Sequence, residues 1–262
     1  MSLFQSRTAI MRGVSPSMSR CELTFVEREA IDVKLAARQH RAYVALLGRL
    51  GVRAVVLPAE PRLPDSVFVE DVAVVLDELA VTTFPGSPAR RPEVPAVADV
   101  LARYGPVEFM CGPGTLDGGD VLRMGRTLFV GLTRRTTAEG AAELDAIVSR
   151  FGYSVIGVPV AASLHLKTAC SPIGRGVLLA NRAWFEADRL AAYEILDVDP
   201  SEPWAANTLL LDDTVVLAAS APRTRDLLAA AGFTVEALDI SEFQKAEGGL
   251  SCLSLLMGAS NG

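Results

Sequence analysis

Histidine is nearly absent from this chain, with two in 262 residues, His40 and His165. Zinc chemistry is therefore poorly supplied, because structural sites take four His or Cys ligands and catalytic sites three protein ligands. Cysteine is scarce too. Cys21, Cys111, Cys170 and Cys252 lie far apart and form no C-x-x-C pair, so neither a zinc motif nor a disulfide framework is expected. No apolar run approaches the roughly 18–20 residues that a membrane-spanning helix needs. The nearest, V-A-V-V-L-D-E-L-A-V from Val72, is interrupted by Asp77 and Glu78. The opening M-S-L-F-Q-S-R-T-A-I-M-R-G has no apolar leader with a small-residue cleavage site, which leads us to expect a cytoplasmic protein in a reducing compartment. Excess positive charge is missing as well: the net charge is −6, which argues against a phosphate-binding surface and suits a cationic ligand. What the chain has in quantity is apolar residues, 50% of the total against 21% charged, enough to exclude global disorder.

Those apolar residues follow a repeating plan. Several helical patterns end in a glycine followed at once by a short β-branched run. The first carries Ile31, Leu35, Tyr43, Leu46, Leu47 and Leu50 at three- and four-residue spacing, stops at Gly51, and leads into V-R-A-V-V-L. A weaker one from about Glu93 stops at Gly105 before P-V-E-F. The third opens on T-T-A-E, Thr136 to Glu139, a capping-box pattern, and stops at Gly152 before Y-S-V-I. The fourth begins near Pro222, with Leu227 and Leu228 on one face, and stops at Gly232 before F-T-V-E-A-L. Glycine suits these ends because the residue after a helix often takes the left-handed conformation. Midway between the last two glycines, R-L-A-A-Y-E-I-L makes the same helix-to-strand change around Ala192. The chain thus reads as five units of roughly 40–54 residues, a repeat-architecture spacing.

Each unit also carries a polar residue inside an apolar strand at a matching phase: Asp71, Asp120, His165, Asn207 and Cys252. Second strands follow in most units, as L-A-V-T-T-F, T-L-F-V-G, G-V-L-L-A-N and D-T-V-V-L-A. Five such units closed in a ring would bring the same strand of each to the axis, and the five polar residues to one site. An ordinary doubly wound α/β sheet is the alternative.

Cys252 follows Gly248-Gly249 in E-G-G-L-S-C and sits at the shared phase, so it is the candidate nucleophile; glycines there permit close approach. Cys21, Cys111 and Cys170 read as packing residues. His165, in A-S-L-H-L-K-T, reads as part of an alternating strand, and His40, in R-Q-H-R-A-Y, as a solvated helix residue. Two acidic clusters remain, P-D-S-V-F-V-E-D with Asp65, Glu70 and Asp71, and T-L-D-G-G-D with Asp117 and Asp120. Carboxylates set among apolar residues need a partner, since burying a lone charge is costly. A guanidinium is the cation they bind best, through paired N–H···O bonds.

Taken together, P-D-S-V-F-V-E-D-V-A-V-V, P-G-S-P-A-R-R, T-L-D-G-G-D-V-L, F-V-G-L-T-R-R-T, L-H-L-K-T and the terminal G-G-L-S-C resemble the dimethylargininase (dimethylarginine dimethylaminohydrolase) family of the guanidine-modifying pentein superfamily, in order from about Val33 to Met257. The resemblance implies a five-bladed α/β propeller, here one catalytic domain over 1–262, that hydrolyses asymmetric dimethylarginine or monomethylarginine to citrulline and a methylamine without a cofactor. Position by position it implies Cys252 as nucleophile, His165 as acid and then base, and Asp117 as the group orienting His165, where some bacterial members carry Glu. Glu70 and Asp71 would hold the guanidinium with Phe68 beside it, Asp65 would accept from the α-amino group, and Arg90 and Arg135 would fork onto the carboxylate. A lid is implied near G-V-S-P-S-M-S-R-C-E-L, where the sequence departs from the family's patterns. Zinc on Cys252 and His165 would be adventitious and inhibitory. The implied partner is a small cationic substrate, with no nucleic acid or membrane, in a monomer or homodimer. Another guanidine enzyme, a deiminase or amidinotransferase, and a non-catalytic propeller are the rival readings.

Overall fold

The computed structural model describes residues 7–258. Residues 1–6, within the opening stretch read for a leader, and residues 259–262, at the end of the expected domain, lie outside the described residues. The strands are β1 (Thr8–Arg12), β2 (Arg53–Leu57), β3 (Ala73–Val75), β4 (Ala80–Thr82), β5 (Val107–Phe109), β6 (Val121–Met124), β7 (Thr127–Leu132), β8 (Ser154–Pro159), β9 (Cys170–Gly174), β10 (Val177–Ala180), β11 (Glu194–Asp197), β12 (Leu209–Leu211), β13 (Thr214–Ala218), β14 (Thr234–Leu238) and β15 (Leu255–Met257). They form five three-stranded sheets, in the orders β3-β4-β5, β6-β7-β8, β9-β10-β11, β12-β13-β14 and β15-β1-β2. Every sheet repeats one pattern: its first two strands pair antiparallel, and the third lies parallel to the middle one. Parallel neighbours need a crossover, which is why a helical segment falls between the second and third strand of each unit. The last sheet is built from both chain ends, β15 pairing with β1, and this closes the ring.

Residues of β3, β6, β9, β12 and β15 together line one central cavity, so these five strands surround the axis. The fold is the five-bladed α/β propeller expected from the repeat. Apolar clusters fill the space between the sheets; one of them joins Tyr43 and Leu47 of the first helix to Val216, Phe243 and Leu253. Among the described residues, no helix is long and apolar enough to cross a membrane.

The helices are α1 (Val33–Arg49), α2 (Val94–Leu101), α3 (Ala138–Val148), α4 (Leu166–Ala169), α5 (Pro222–Ala230) and α6 (Ser241–Gln244). Asp32 caps α1 by accepting from the N–H groups of Lys34 and Leu35. Gly51, Gly152 and Gly232 take the left-handed conformation expected of them, with φ of 78°, 78° and 82°. Gly105 does not, because α2 ends at Leu101 and the chain leaves it through a turn in which Tyr104 and Gly105 both donate to the Leu101 carbonyl.

Several sequence-based expectations need correction. The fourth unit has no α-helix around Ala192; two short 3-10 turns, Arg182–Trp184 and Ala187–Leu190, make its crossover. The cap of α3 is Thr137, whose hydroxyl accepts from the Gly140 N–H, because Thr136 is turned inward to donate to Asp120. Leu228 is buried but Leu227 is 43% exposed, so only one of the pair faces the core. His40 is not solvated: α1 packs on both β2 and α6, which widens its buried face to include Gln39 and His40. Burial and the neighbouring Arg41 charge push the His40 imidazole down to about 4, so it is neutral at pH 7. Cys111 is exposed in the turn beyond β5, whereas Cys21 and Cys170 are buried as expected.

Candidate active site

The polar residues of the shared phase do converge, but they are not strand residues. Asp71, Asp120 and Cys252 lie in single 3-10 turns, Val69–Val72, Gly118–Asp120 and Ser251–Leu253, just ahead of the axial strands. His165 has extended dihedrals and immediately precedes α4. A one-turn helix reverses the chain from the site into the descending strand, which a period-two reading cannot distinguish from the strand itself. Neighbouring units are linked around the axis. Ser251 donates to Glu70 (2.8 Å), Asn207 Nδ2 to the Ser251 hydroxyl (3.1 Å) and to the Lys167 carbonyl (3.0 Å), and the Leu166 N–H to Asp120 (2.9 Å).

At one end of the axis a small cavity is lined by Asp65, Phe68, Asp71, Arg90, Asp117, Arg135, His165 and Cys252, eight of the nine residues expected at the site. The ninth, Glu70, is not in this lining. It faces the central cavity, where its two oxygens accept from Lys167 Nζ (2.5 Å) and the Ser251 hydroxyl (2.8 Å). The Glu70–Lys167 pair belongs to the floor between the two cavities.

Cys252 is buried, and its Sγ accepts from the Gly249 N–H at 3.4 Å. Tyr43 of α1 steadies the turn by donating to the Leu250 carbonyl (3.0 Å) and sharing a hydrogen bond with Ser254 (2.9 Å). Burial first, and then the charges of Glu70 and Asp71, raise the Cys252 thiol well above the ordinary range. His165 Nε2 lies 3.0 Å from Asp117 Oδ2, and Nδ1 lies 3.6 Å from Asp71 Oδ1. Burial pulls this imidazole down, but Asp71, Asp120 and Asp117 outweigh it and push it up to about 9. Asp117 is itself positioned by the Gly86 N–H (2.9 Å) and through its own N–H on Thr136 (3.0 Å). Asp120 acts on structure: its oxygens take the Leu166 N–H and the hydroxyls of Thr133 and Thr136, which sets the start of α4 and hence His165. Burial lifts its carboxyl to about 6.

The paired glycines are needed for close approach rather than for unusual dihedrals. A Cβ on Gly119 would stand 2.6 Å from His165 Nδ1 and 2.7 Å from Asp71 Oδ1, and one on Gly248 would stand 2.3 Å from the Phe68 ring. Phe68 is held edge-on to Phe243, with centroids 6.3 Å apart.

The two arginines differ sharply. Arg90 is 5% exposed and its fork is closed on Glu93 (2.7 and 2.8 Å), with Nη1 on Asp71 Oδ2 (2.8 Å) and Nη2 also on the Phe68 carbonyl (2.9 Å). By donor count one Nη1 hydrogen is left, so Arg90 has no open fork for a ligand. Arg135 Nη2 donates to Glu22 Oε2 (2.9 Å), while its Nη1 is buried without a partner. Asp71 Oδ1 is likewise buried without a partner. Asp65 accepts from the Glu22 N–H (3.2 Å), and burial raises its carboxyl.

Glu93, Lys167, Glu22 and Glu247 were not singled out from the sequence. Glu93 was findable as an acidic residue three after Arg90. Glu247 precedes the paired glycines, and its Oε1 takes the N–H groups of Thr24, Phe25 and Val26 (2.8 Å for Thr24 and Val26), which ties the lid segment to the nucleophile's loop. For a metal, Asp71, Asp117 and His165 offer ligand atoms within 4.8 Å of one another, a set other than the Cys252–His165 pair expected for zinc.

No family model matches the chain. A Streptomyces coelicolor protein named N(G),N(G)-dimethylarginine dimethylaminohydrolase is 40% identical over 251 residues, covering 95% of this chain and 96% of its own. The Pseudomonas aeruginosa protein of that name is 35% identical over 226 residues, covering 86% and 89%. A solved structure of the Pseudomonas aeruginosa protein, a cysteine-to-serine mutant complexed with citrulline, matches with a TM-score of 0.91 at 33% identity, covering 97% of this chain and all of that one. With the axial cavity, the collinear motifs and these relatives in agreement, the chain belongs to the dimethylarginine dimethylaminohydrolase family.

Proposed function

We propose that this protein hydrolyses Nω-methylated arginines, asymmetric dimethylarginine and monomethylarginine, to citrulline and di- or monomethylamine, as a hydrolase of the C–N bond of a linear amidine. One observation carries this reading beyond the family: a single cavity holds a buried carboxylate oxygen that accepts no hydrogen bond, Asp71 Oδ1, with only His165 Nδ1 near it at 3.6 Å, and a buried guanidinium nitrogen without an acceptor, Arg135 Nη1. Unsatisfied buried polar atoms are costly, so the site calls for a ligand cationic at one end and anionic at the other.

In this reading Asp71 grips the guanidinium and sets its central carbon beside Cys252, converting an encounter into an oriented attack. The cation against the sulfur offsets the burial and negative charge that hold the thiol protonated, and the thiol proton passes to solvent as the S–C bond forms, to be taken up there by the released amine. His165, already protonated at neutral pH, passes its proton to the departing methylamine and leaves a covalent thiouronium. The neutral imidazole then takes a proton from water, which attacks the same carbon; the C–S bond breaks as the new hydroxyl becomes the urea carbonyl and its proton returns to the sulfur, and citrulline is released. Asp117 holds the ring throughout. Arg135 receives the substrate carboxylate and Asp65 its α-amino group. Arg90 is assigned to orienting Asp71, with one N–H left for the substrate, and Glu70 to the floor with Lys167. No cofactor enters this scheme, and the free thiols suit a reducing cytoplasm.

The test is incubation with asymmetric dimethylarginine, monomethylarginine and arginine separately, reading citrulline and the released amine. Citrulline with dimethylamine or methylamine is expected. Ammonia from arginine as the preferred reaction would instead mark a deiminase, and no citrulline from any of the three would leave a non-catalytic propeller.

A further inference from the structure

Glu22 lies in the lid segment, outside the groups assigned to the reaction. Its side chain is 40% exposed, yet one oxygen takes Arg135 Nη2 at 2.9 Å and the other the Ser87 hydroxyl at 2.8 Å. Arg135, with a side chain 13% exposed, is the guanidinium whose Nη1 is buried without a protein acceptor. A carboxylate belonging to the chain therefore stands on the donor to which the substrate's carboxylate is assigned.

We propose that Glu22 is a specificity-determining residue, a resident carboxylate that competes with the substrate's α-carboxylate for Arg135. The inference rests on the assignment of Arg135 made above. The backbone around Glu22 is held on both sides, its own N–H on Asp65 and the N–H groups of residues 24–26 on Glu247. The lid backbone is therefore anchored, and the contest is between side chains. A second carboxylate arriving at Nη1 either displaces Glu22 or shares the fork with it, and two like charges on one guanidinium repel. Either outcome weakens binding of ligands that carry the α-carboxylate and leaves ligands without it unaffected. Glu22 thereby narrows the advantage of amino-acid guanidines over their decarboxylated analogues.

The experiment measures binding without turnover, using the Cys252→Ser protein titrated calorimetrically with citrulline and with N-carbamoylputrescine, which lacks the carboxylate. Adding Glu22→Gln should tighten citrulline about two- to fivefold, the upper range for a partly exposed ion pair, and leave N-carbamoylputrescine essentially unchanged. Glu22→Ala should act in the same direction, and neither substitution should matter once Arg135 is Ala. Citrulline binding that is unchanged or weaker in both Glu22 variants overturns the inference. Equal tightening of both ligands overturns it too, since Glu22 would then act on the lid alone. If the Cys252→Ser protein binds no citrulline at all, the reading of the site fails along with it; citrulline binding with no charge effect defeats only the competition.

Discussion

Arg90 and Arg135 are the same side chain in opposite circumstances, and their substitutions should separate. Arg90→Ala leaves Asp71 and Glu93 buried without their shared cation, a break that costs about 3–5 kcal/mol of stability; a falling Tm should be its main signature. Arg135→Ala removes a group with an open nitrogen, and losing a charged ligand contact, about 2–4 kcal/mol, should appear as a raised KM with little change in Tm. Equal Tm losses in the two variants would show that the closed fork of Arg90 is not what distinguishes them. Ionisation of the catalytic pair follows from their surroundings as well. Burial with Glu70 and Asp71 holds Cys252 as a thiol, and three carboxylates hold His165 as an imidazolium up to about pH 9. Alkylation of free enzyme by iodoacetamide should therefore show an apparent pKa at or above ~8.5. The rising limb of kcat should lie at lower pH, because the loaded complex contains the substrate's cation, and activity should fall as His165 loses its proton near pH 9. A free-enzyme thiol already ionised at pH 6 by ultraviolet titration would falsify substrate-assisted activation in favour of a preformed ion pair.

The short turns ahead of the axial strands decide how closely catalytic groups from different sheets can meet. Gly118-Gly119 is the clearest case, since the second glycine lies under both His165 and Asp71. Gly119→Ala should leave the propeller folded while displacing the imidazole by several tenths of an ångström. The expected result is a loss in kcat of roughly 10- to 100-fold, with near-native Tm and circular dichroism. Unchanged kcat would mean that the His165–Asp71 spacing of 3.6 Å is not needed for catalysis. By contrast, the second strands of the units, such as Thr127–Leu132 and Thr214–Ala218, form where their β-branched and aromatic residues placed them, because their partners are adjacent in sequence.

For the molecule as a whole, the two histidines impose opposite slopes on stability against pH. His40 sits at about 4 in the folded chain, below its ordinary 6.5, so the unfolded chain binds the proton more readily and stability is lost as pH falls from 6.5 toward 4. His165 sits at about 9, so its contribution is fully present below 6.5 and is lost as pH rises through 9. Each shift corresponds to about 3 kcal/mol at most, and the pair favours maximal stability near pH 6.5. Chemical denaturation at several pH values checks this: His40→Gln should flatten the acid limb and leave the alkaline one. An acid limb of unchanged slope in that variant would remove burial of His40 from the account.

Local order was legible in the residues. Glycine-terminated amphipathic helices, β-branched runs after them and a recurring interval specify five strand–helix units, because each depends on contacts within some fifty residues, as repeat units do. Six ordered motifs named the family, and eight of nine carried-over residues line one cavity. What spacing could not settle was which groups face each other across units. Glu70 and Asp71 are adjacent in sequence, yet one meets Lys167 at the floor and the other His165 and Arg90 in the site. Glu22 and Arg135 are more than a hundred positions apart, yet they are paired. His40 read as a surface residue because a helical wheel shows one face, while α6 covers a second. Backbone pattern is set by near neighbours along the chain. The partner of a buried charge is set by ring closure, which brings turns from all five units to one axis, and only the folded chain determines which carboxylate takes which cation there.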